Sequence, residues 1–347
     1  MNPSKLKSIK PLLRDALAEG LFFSEWTNPG KRSQSKLTVV TFHRVLPKNL
    51  REQYPYPGIC VTPEELRWFC GFFDQYFSVG TLTNLFQRWQ NGEQPNKPFL
   101  AITFDDGQLD NLHYGLPVLD EFDFKATFYI PASNIDKASI LWHDRIGYCT
   151  LVAKNNGEAM MQKTLELAQI YDIPSNPTSV FENHIIQHSK RISPEKRLLF
   201  IEALESLLKT SPPEWGRLMT WDEIRQIHQQ GHEIGSHSMA HALMPQCNDQ
   251  ELRYETIESK RRLETELNTE IASFCYPNGD CDARSAEAVF QAGYQNAVTT
   301  QWGKNQPEQP YFQLKRCDVN TFNNLNRKQA LSYARFALRL SGLQPGL

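Results

Sequence analysis

No stretch of this 347-residue chain is apolar for the roughly 20 residues that a membrane-crossing helix needs. Neither sign of charge dominates: the formal net charge is -2, so no single-sign field gathers phosphates, which argues against a nucleic-acid partner. The seven cysteines (Cys60, Cys70, Cys149, Cys247, Cys275, Cys281 and Cys317) are odd in number and scattered. None forms a C-x-x-C pair, so neither a zinc knuckle nor a disulfide scaffold is indicated, and reduced, mostly buried thiols are expected. Internal repeats and low-complexity segments are absent. The first residues are basic but lack an uninterrupted apolar core and a small-residue cleavage site, and do not read as a secretory signal. A cytoplasmic protein is therefore the expectation.

What is present is an alternation. Short β-branched or aromatic runs at Leu37–Phe42, Phe99–Phe104, Lys125–Ile130, His232–Ser236, Ala272–Pro277, Asn296–Thr300 and Leu314–Val319 read as strands. Amphipathic patterns at Thr62–Phe77, Leu109–Phe122, Trp221–Gln230, Asp249–Asn268 and Ala283–Ala292 read as helices between them. Such alternation points to parallel pairing in an α/β barrel or open sheet. Thr62 with Glu65 and Thr220 with Glu223 have capping-box spacing, and Gly231 and Gly293 stand as helix stops. Residues 143–220 carry helical but few strand signals and read as a helical insertion, with helices at Gln162–Ile170, Val180–His188 and Pro194–Leu208. Residues 1–36 form a separate N-terminal segment whose Leu6, Ile9, Leu12, Leu13 and Leu17 share one helical side. Packing of that side on the domain is the preferred reading, with peripheral membrane contact as the alternative.

Two short sequences concentrate the chemistry. Thr103-Phe104-Asp105-Asp106-Gly107 places adjacent carboxylates where the strand Phe99–Phe104 ends, and α/β sites gather at the C-terminal ends of strands. Both acids can face one cleft only if the backbone leaves the ladder, which Gly107 permits. His237-Ser238-Met239-Ala240-His241 follows another strand, and histidines four apart lie on one face of a helical turn. Each motif alone has a bland reading, a polar turn or incidental histidines. Together, two histidines and one aspartate supply three metal ligands with a position open for water, and the second acid is left as a base.

These two motifs, in this order, resemble those of the NodB-type polysaccharide deacetylases, carbohydrate esterase family four. The resemblance runs from about Leu37 to Val319. It implies a distorted, incomplete β/α barrel of about seven parallel strands, spanning 37–347 with the insertion at 143–220. It implies one divalent metal ion, zinc with cobalt or nickel as alternatives, held by Asp106, His237 and His241, with Asp105 as catalytic base. A third family motif, Arg-x-Pro-Tyr, aligns with Cys275-Tyr276-Pro277-Asn278. Its arginine is missing, which leaves the base without its usual support; Arg316 is one replacement, an ordinary ion pair another. Asn278 keeps the backbone N–H that would face an oxyanion. The family's C-terminal general-acid histidine is also missing, since no histidine follows His241. His43, in Thr41-Phe42-His43-Arg44-Val45, resembles the N-terminal Tyr-His motif of the poly-N-acetylglucosamine deacetylase subgroup and is the expected acid.

Trp142, His143, Tyr276 and Arg316 are candidate substrate contacts, with Asp144 a further candidate beside His143 and the Trp302 loop a candidate wall of the cleft. A packed tryptophan is the plainer reading of Trp142. The implied substrate is an acetylated amino-sugar glycan, or a lipid- or nucleotide-linked precursor at the inner membrane face. The competing reading is a catalytically degenerate glycan-binding protein. A glycosidase fits less well, because its carboxylates must flank the scissile bond about 5–9.5 Å apart.

Overall fold

A computed structural model describes residues 3–133, 135, 139–176, 180–211 and 213–343. The expected parallel α/β architecture is present. Seven strands, β1 (Thr38–Phe42), β2 (Phe99–Phe104), β3 (Thr127–Ile130), β4 (Glu233–Ser236), β5 (Ser273–Cys275), β6 (Asn296–Trp302) and β7 (Leu314–Asp318), pair in chain order. All pairings are parallel, and β1 joins both β7 and β2, so the ring closes. Five residues of β1 register with β2, whereas β4 meets β5 at Ser236 and Phe274 and the β6–β7 register shifts. The distortion lies at those seams. A short strand, Ser78–Gly80, pairs with the first half of β2, and β3 takes the second half.

β1, β2 and β3 are buried on both faces, which is why they read as nearly continuous apolar runs rather than as alternation. Between strands, helices bury one apolar side each. Pro63–Tyr76 buries Leu66, Phe69, Phe72 and Phe73, and Phe69 and Phe72 pack against Phe336 of the helix Tyr333–Leu340. Both expected capping boxes form, at Thr62/Glu65 and Thr220/Glu223. Gly231 and Gly293 take the left-handed conformations of helix stops.

Between β3 and the helix Trp221–Gln229 that leads into β4, the described residues form four α-helices: Trp142–Asn155, Glu158–Ile170, Phe181–Ser189 and Pro194–Leu208. They enclose a small core of their own, including Ile146, Cys149, Leu165, Ile185, Phe200 and Leu204. The first of these helices and the helix Leu82–Gln90 carry no clear signal in the sequence, whereas the other three follow it closely. Two expected helices are interrupted. Asn111–Gly115 and Tyr254–Glu258 are π turns, the second set inside the helical stretch from Asp249 to Leu267.

The N-terminal helix, Pro3–Phe23, corrects one expectation. Its packed side is Ala18, Leu21 and Phe22, seated on Ala334 and Leu338 of the C-terminal helix. Leu12, Leu13 and Leu17, expected against the domain, face solvent. The side chains of Leu6 and Ile9 lie outside the described residues. All seven cysteines are unpaired, and all but the partly buried Cys281 are buried.

Candidate active site

At the C-terminal end of β2 the chain leaves the ladder one residue earlier than expected. Asp106 itself takes φ 75° and Gly107 follows at φ 67°. This double left-handed turn sends the adjacent carboxylates to different partners. Glycine is favoured at 107 by its left-handed φ, and a Cβ there would sit 3.1 Å from the tip of the Ile130 side chain, which would have to give way.

Asp105 points to β7. Arg316 grips it with two parallel bonds, Nη1 to Oδ1 and Nη2 to Oδ2, both 2.7 Å. Both side chains are buried. Burial alone would raise the Asp105 carboxyl, but Arg316, with His43 and His237, holds it below the usual carboxylate range. The side chain that grips Asp105 thus comes from β7, one strand beyond β1 in the ring. Cys275, in the motif position, is a fully buried thiol.

Asp106 points to the histidines. Its Oδ1 lies 3.3 Å from Nε2 of both His237 and His241. The two histidines do not ride on a helical turn, as their spacing suggested. Ser238 (φ 64°) and His241 (φ 56°) are left-handed, so a tight non-helical turn folds one ring back beside the other. Glu255 braces that turn, accepting the N–H groups of Met239 and Ala240, both at 2.9 Å. Sequence reading missed Glu255. Its signal was an acid in a core register with Leu252, Ser259 and Leu263, and the π turn at Tyr254–Glu258 carries it.

Asp106, His237 and His241 form a group whose donor atoms lie close enough to hold one metal ion. Ligands about 2.0–2.1 Å from a tetrahedral cation sit about 3.3–3.4 Å apart, and the two Asp106 distances match that separation. His237 Nδ1 faces the Cys275 carbonyl at 2.8 Å; donating there leaves Nε2 as the free donor toward the centre. Burial, with His237 and His143 nearby, pushes His241 down to about 4, whereas at His237 burial is outweighed by Cys275 and Asp106, which raise it. The donor chemistry fits a divalent cation of the zinc type.

His43 leaves the end of β1 with its Nε2 3.8 Å from Asp105 Oδ2, on a partly exposed side chain. Asn111 Nδ2 donates to the His43 carbonyl and fixes its backbone. Asn278 takes a left-handed turn (φ 60°) just after β5. Its side-chain oxygen accepts from Lys190 Nζ at 2.5 Å, which brings the four-helix segment onto this loop.

The candidate substrate contacts separate. Tyr276 is corrected: it is fully buried, and its hydroxyl donates to the Phe312 carbonyl, so it is a core residue. Arg316 is corrected likewise, being buried and committed to Asp105. One face of Trp142 is covered by the Arg197 guanidinium, 4.2 Å from the ring centre, and Arg339 covers Trp302 similarly. His143 lies beside the centre, its ring 5.2 Å from that of His241. Asp144 turns away into a buried network with Arg44 and Tyr54.

Fold and site together define an α/β barrel with a carboxylate–histidine cluster at the C-terminal ends of its strands. The sequence profile of the family described as polysaccharide deacetylase matches residues 92–297, more than half of the chain. The chain belongs to the polysaccharide deacetylase family. YxkH of Bacillus subtilis, named as a polysaccharide deacetylase, is 26% identical over 102 residues, 29% of this chain and only 37% of that protein. The Streptococcus pyogenes deacetylase PplD, solved with acetate, aligns over 83% of this chain and 93% of its own, at 15% identity and a TM-score of 0.55. A de-N-acetylase from Aggregatibacter actinomycetemcomitans aligns over 88% and 100%, at 14% identity and a TM-score of 0.55. At these identities the structural likeness is one of fold.

Proposed function

We propose that this chain is a divalent-cation-dependent hydrolase that removes an acetyl group, on nitrogen or oxygen, from an amino-sugar glycan or glycan precursor. The observation that carries the reading is the division of labour between adjacent acids. Asp106 faces two histidines, and Asp105, beside it, is held ionised by Arg316.

In this reading Asp106, His237 and His241 hold the cation. Zinc is the first choice, with cobalt or nickel as alternatives. When bound, it supplies a Lewis acid at the acetyl carbonyl. Asp105 accepts the proton of the attacking water. Arg316 occupies one side of the carboxylate, fixing its plane and leaving the other lone pairs for that proton. The backbone N–H of Asn278 donates to the developing oxyanion. His43, as imidazolium, gives its proton to the departing amine or alcohol, which for an amine is what makes it a competent leaving group. His143, and Trp142 through the face that Arg197 leaves uncovered, are the remaining candidates for contact with the sugar. Against the glycan-binding alternative stands the grip of Arg316 on Asp105, which gives the acid a partner although the motif arginine is missing.

Acetate release from a panel of acetylated amino sugars and oligosaccharides tests this, with protein stripped by chelator and reloaded with zinc, cobalt or nickel. Release should vanish on stripping and return on reloading, and Asp105→Asn should bind metal yet turn over at least about a hundredfold more slowly. Release that survives complete stripping, or normal turnover by the reloaded Asp105→Asn protein, would count against the proposal.

A further inference from the structure

The outward side of the N-terminal helix has no partner among the described residues. Leu12, Leu13 and Leu17 are exposed along it, Leu13 by 63%, and Phe23 and Trp26 continue the apolar surface at 81% and 65%. The helix is nonetheless anchored. Arg14 Nη2 donates to the Leu325 carbonyl, and Asp15 accepts the Arg327 N–H while facing Arg335. Leu325 and Arg327 belong to the segment that follows β7, so the anchor ties the helix to chain leaving the catalytic end of the barrel. Between helix and segment runs an open groove with Leu12, Phe322 and Leu325 as apolar lining and Arg14 and Arg327 as basic lining.

Charge selects the occupant. Residues 1–36 hold seven Lys or Arg against three Asp or Glu, a local +4 in a chain whose total is -2. A second copy docked face to face would set +4 against +4. An anionic bilayer surface instead offers apolar depth for the leucines and phenylalanine, and negative headgroups for the basic residues. No described helix is long and apolar enough to cross a membrane, so the helix would lie along the surface.

We infer that the outward face of the helix Pro3–Phe23, with Phe23, Trp26 and the Phe322 groove, is a docking surface for an anionic lipid bilayer. The inference does not rest on the proposed reaction.

Co-sedimentation of the full chain with vesicles tests it, comparing phosphatidylcholine alone with phosphatidylcholine mixed with phosphatidylglycerol. The chain should pellet with the mixed vesicles at low salt, and at least about tenfold less with phosphatidylcholine alone or at high salt. Leu13→Ser/Leu17→Ser, which leaves charge unchanged, should cut vesicle binding at least about tenfold. Its unfolding curve and its acetate release from a soluble substrate should match the parent. A parent chain that stays in the supernatant with mixed vesicles overturns the inference, as does a double variant that pellets equally. A concentration-dependent dimer that the double variant abolishes would assign the face to a second copy and also overturn it.

Discussion

Arg316 and Asp105 form a pair in which geometry matters as much as charge. A guanidinium meets both carboxylate oxygens at once, and a lysine ammonium meets them only as a point charge. Arg316→Lys keeps the buried positive charge but releases the plane of Asp105. Its kcat should fall by about ten- to a hundredfold, with metal content unchanged. Metal analysis beside steady-state kinetics checks this. Loss of metal together with activity would mean that Arg316 supports the centre and not the base. The same residue marks a limit of linear reading. Cys275 occupies the motif position, and the neighbourhood of Leu314–Asp318 leaves Arg316 open as either its replacement or an ordinary ion pair. The closed ring sets β7 beside β1 and β1 beside β2, and this brings the guanidinium to Asp105.

At the scale of elements, the helix Trp221–Gln229 leads directly into β4 and the histidine turn. Its first turn is held by Glu223, which closes the capping box with Thr220 and accepts two bonds from Arg217. Those bonds, Arg217 first, lower the Glu223 carboxyl from 4.5 to about 2. A carboxyl depressed on folding stabilises the native state at pH values above its unfolded pKa, and that contribution fades as pH falls from about 4.5 towards about 2. Glu223→Gln should therefore cost about 1–2 kcal/mol at pH 7, and the gap from the parent should narrow in acid. Paired denaturant curves at neutral and acidic pH check the trend; a gap that widens in acid would refute the assignment. The cap was legible because it is local, three residues apart. The interruptions at Asn111–Gly115 and Tyr254–Glu258 were not, because a π turn answers to what its side chains must reach, here Glu255 to the histidine turn.

Across the whole molecule, one buried arginine joins segments far apart in sequence. Arg44, just past β1, bonds Asp110 after β2 at 2.7 Å and Asp144 in the four-helix segment at 3.0 Å. Tyr54 donates to the same Asp144, and the Arg44 guanidinium lies over its ring at 4.8 Å and over that of Trp215 at 5.6 Å. Removing the cation leaves two buried carboxyls without a counter-charge. Arg44→Met should destabilise the fold by about 3–5 kcal/mol, measured by urea denaturation followed by tryptophan fluorescence. A change below about 1 kcal/mol would show that the junction is not what holds these segments together.

What the linear order of residues determined here was local and periodic. Strands buried on both faces, helix caps and stops, the paired acids after β2 and the histidine pair after β4 all follow from neighbours a few positions apart. Tertiary structure decided what depends on meeting at a distance. Arg316 supports Asp105, Glu255 braces the histidine turn, Tyr276 belongs to the core and the N-terminal helix turns its leucines outward. The reason is physical: periodicity reveals that a helix has an apolar side, but which side is covered depends on the surface that the rest of the chain builds. Ala18, Leu21 and Phe22 fit against Ala334 and Leu338, and the larger apolar stripe was left to the solvent side.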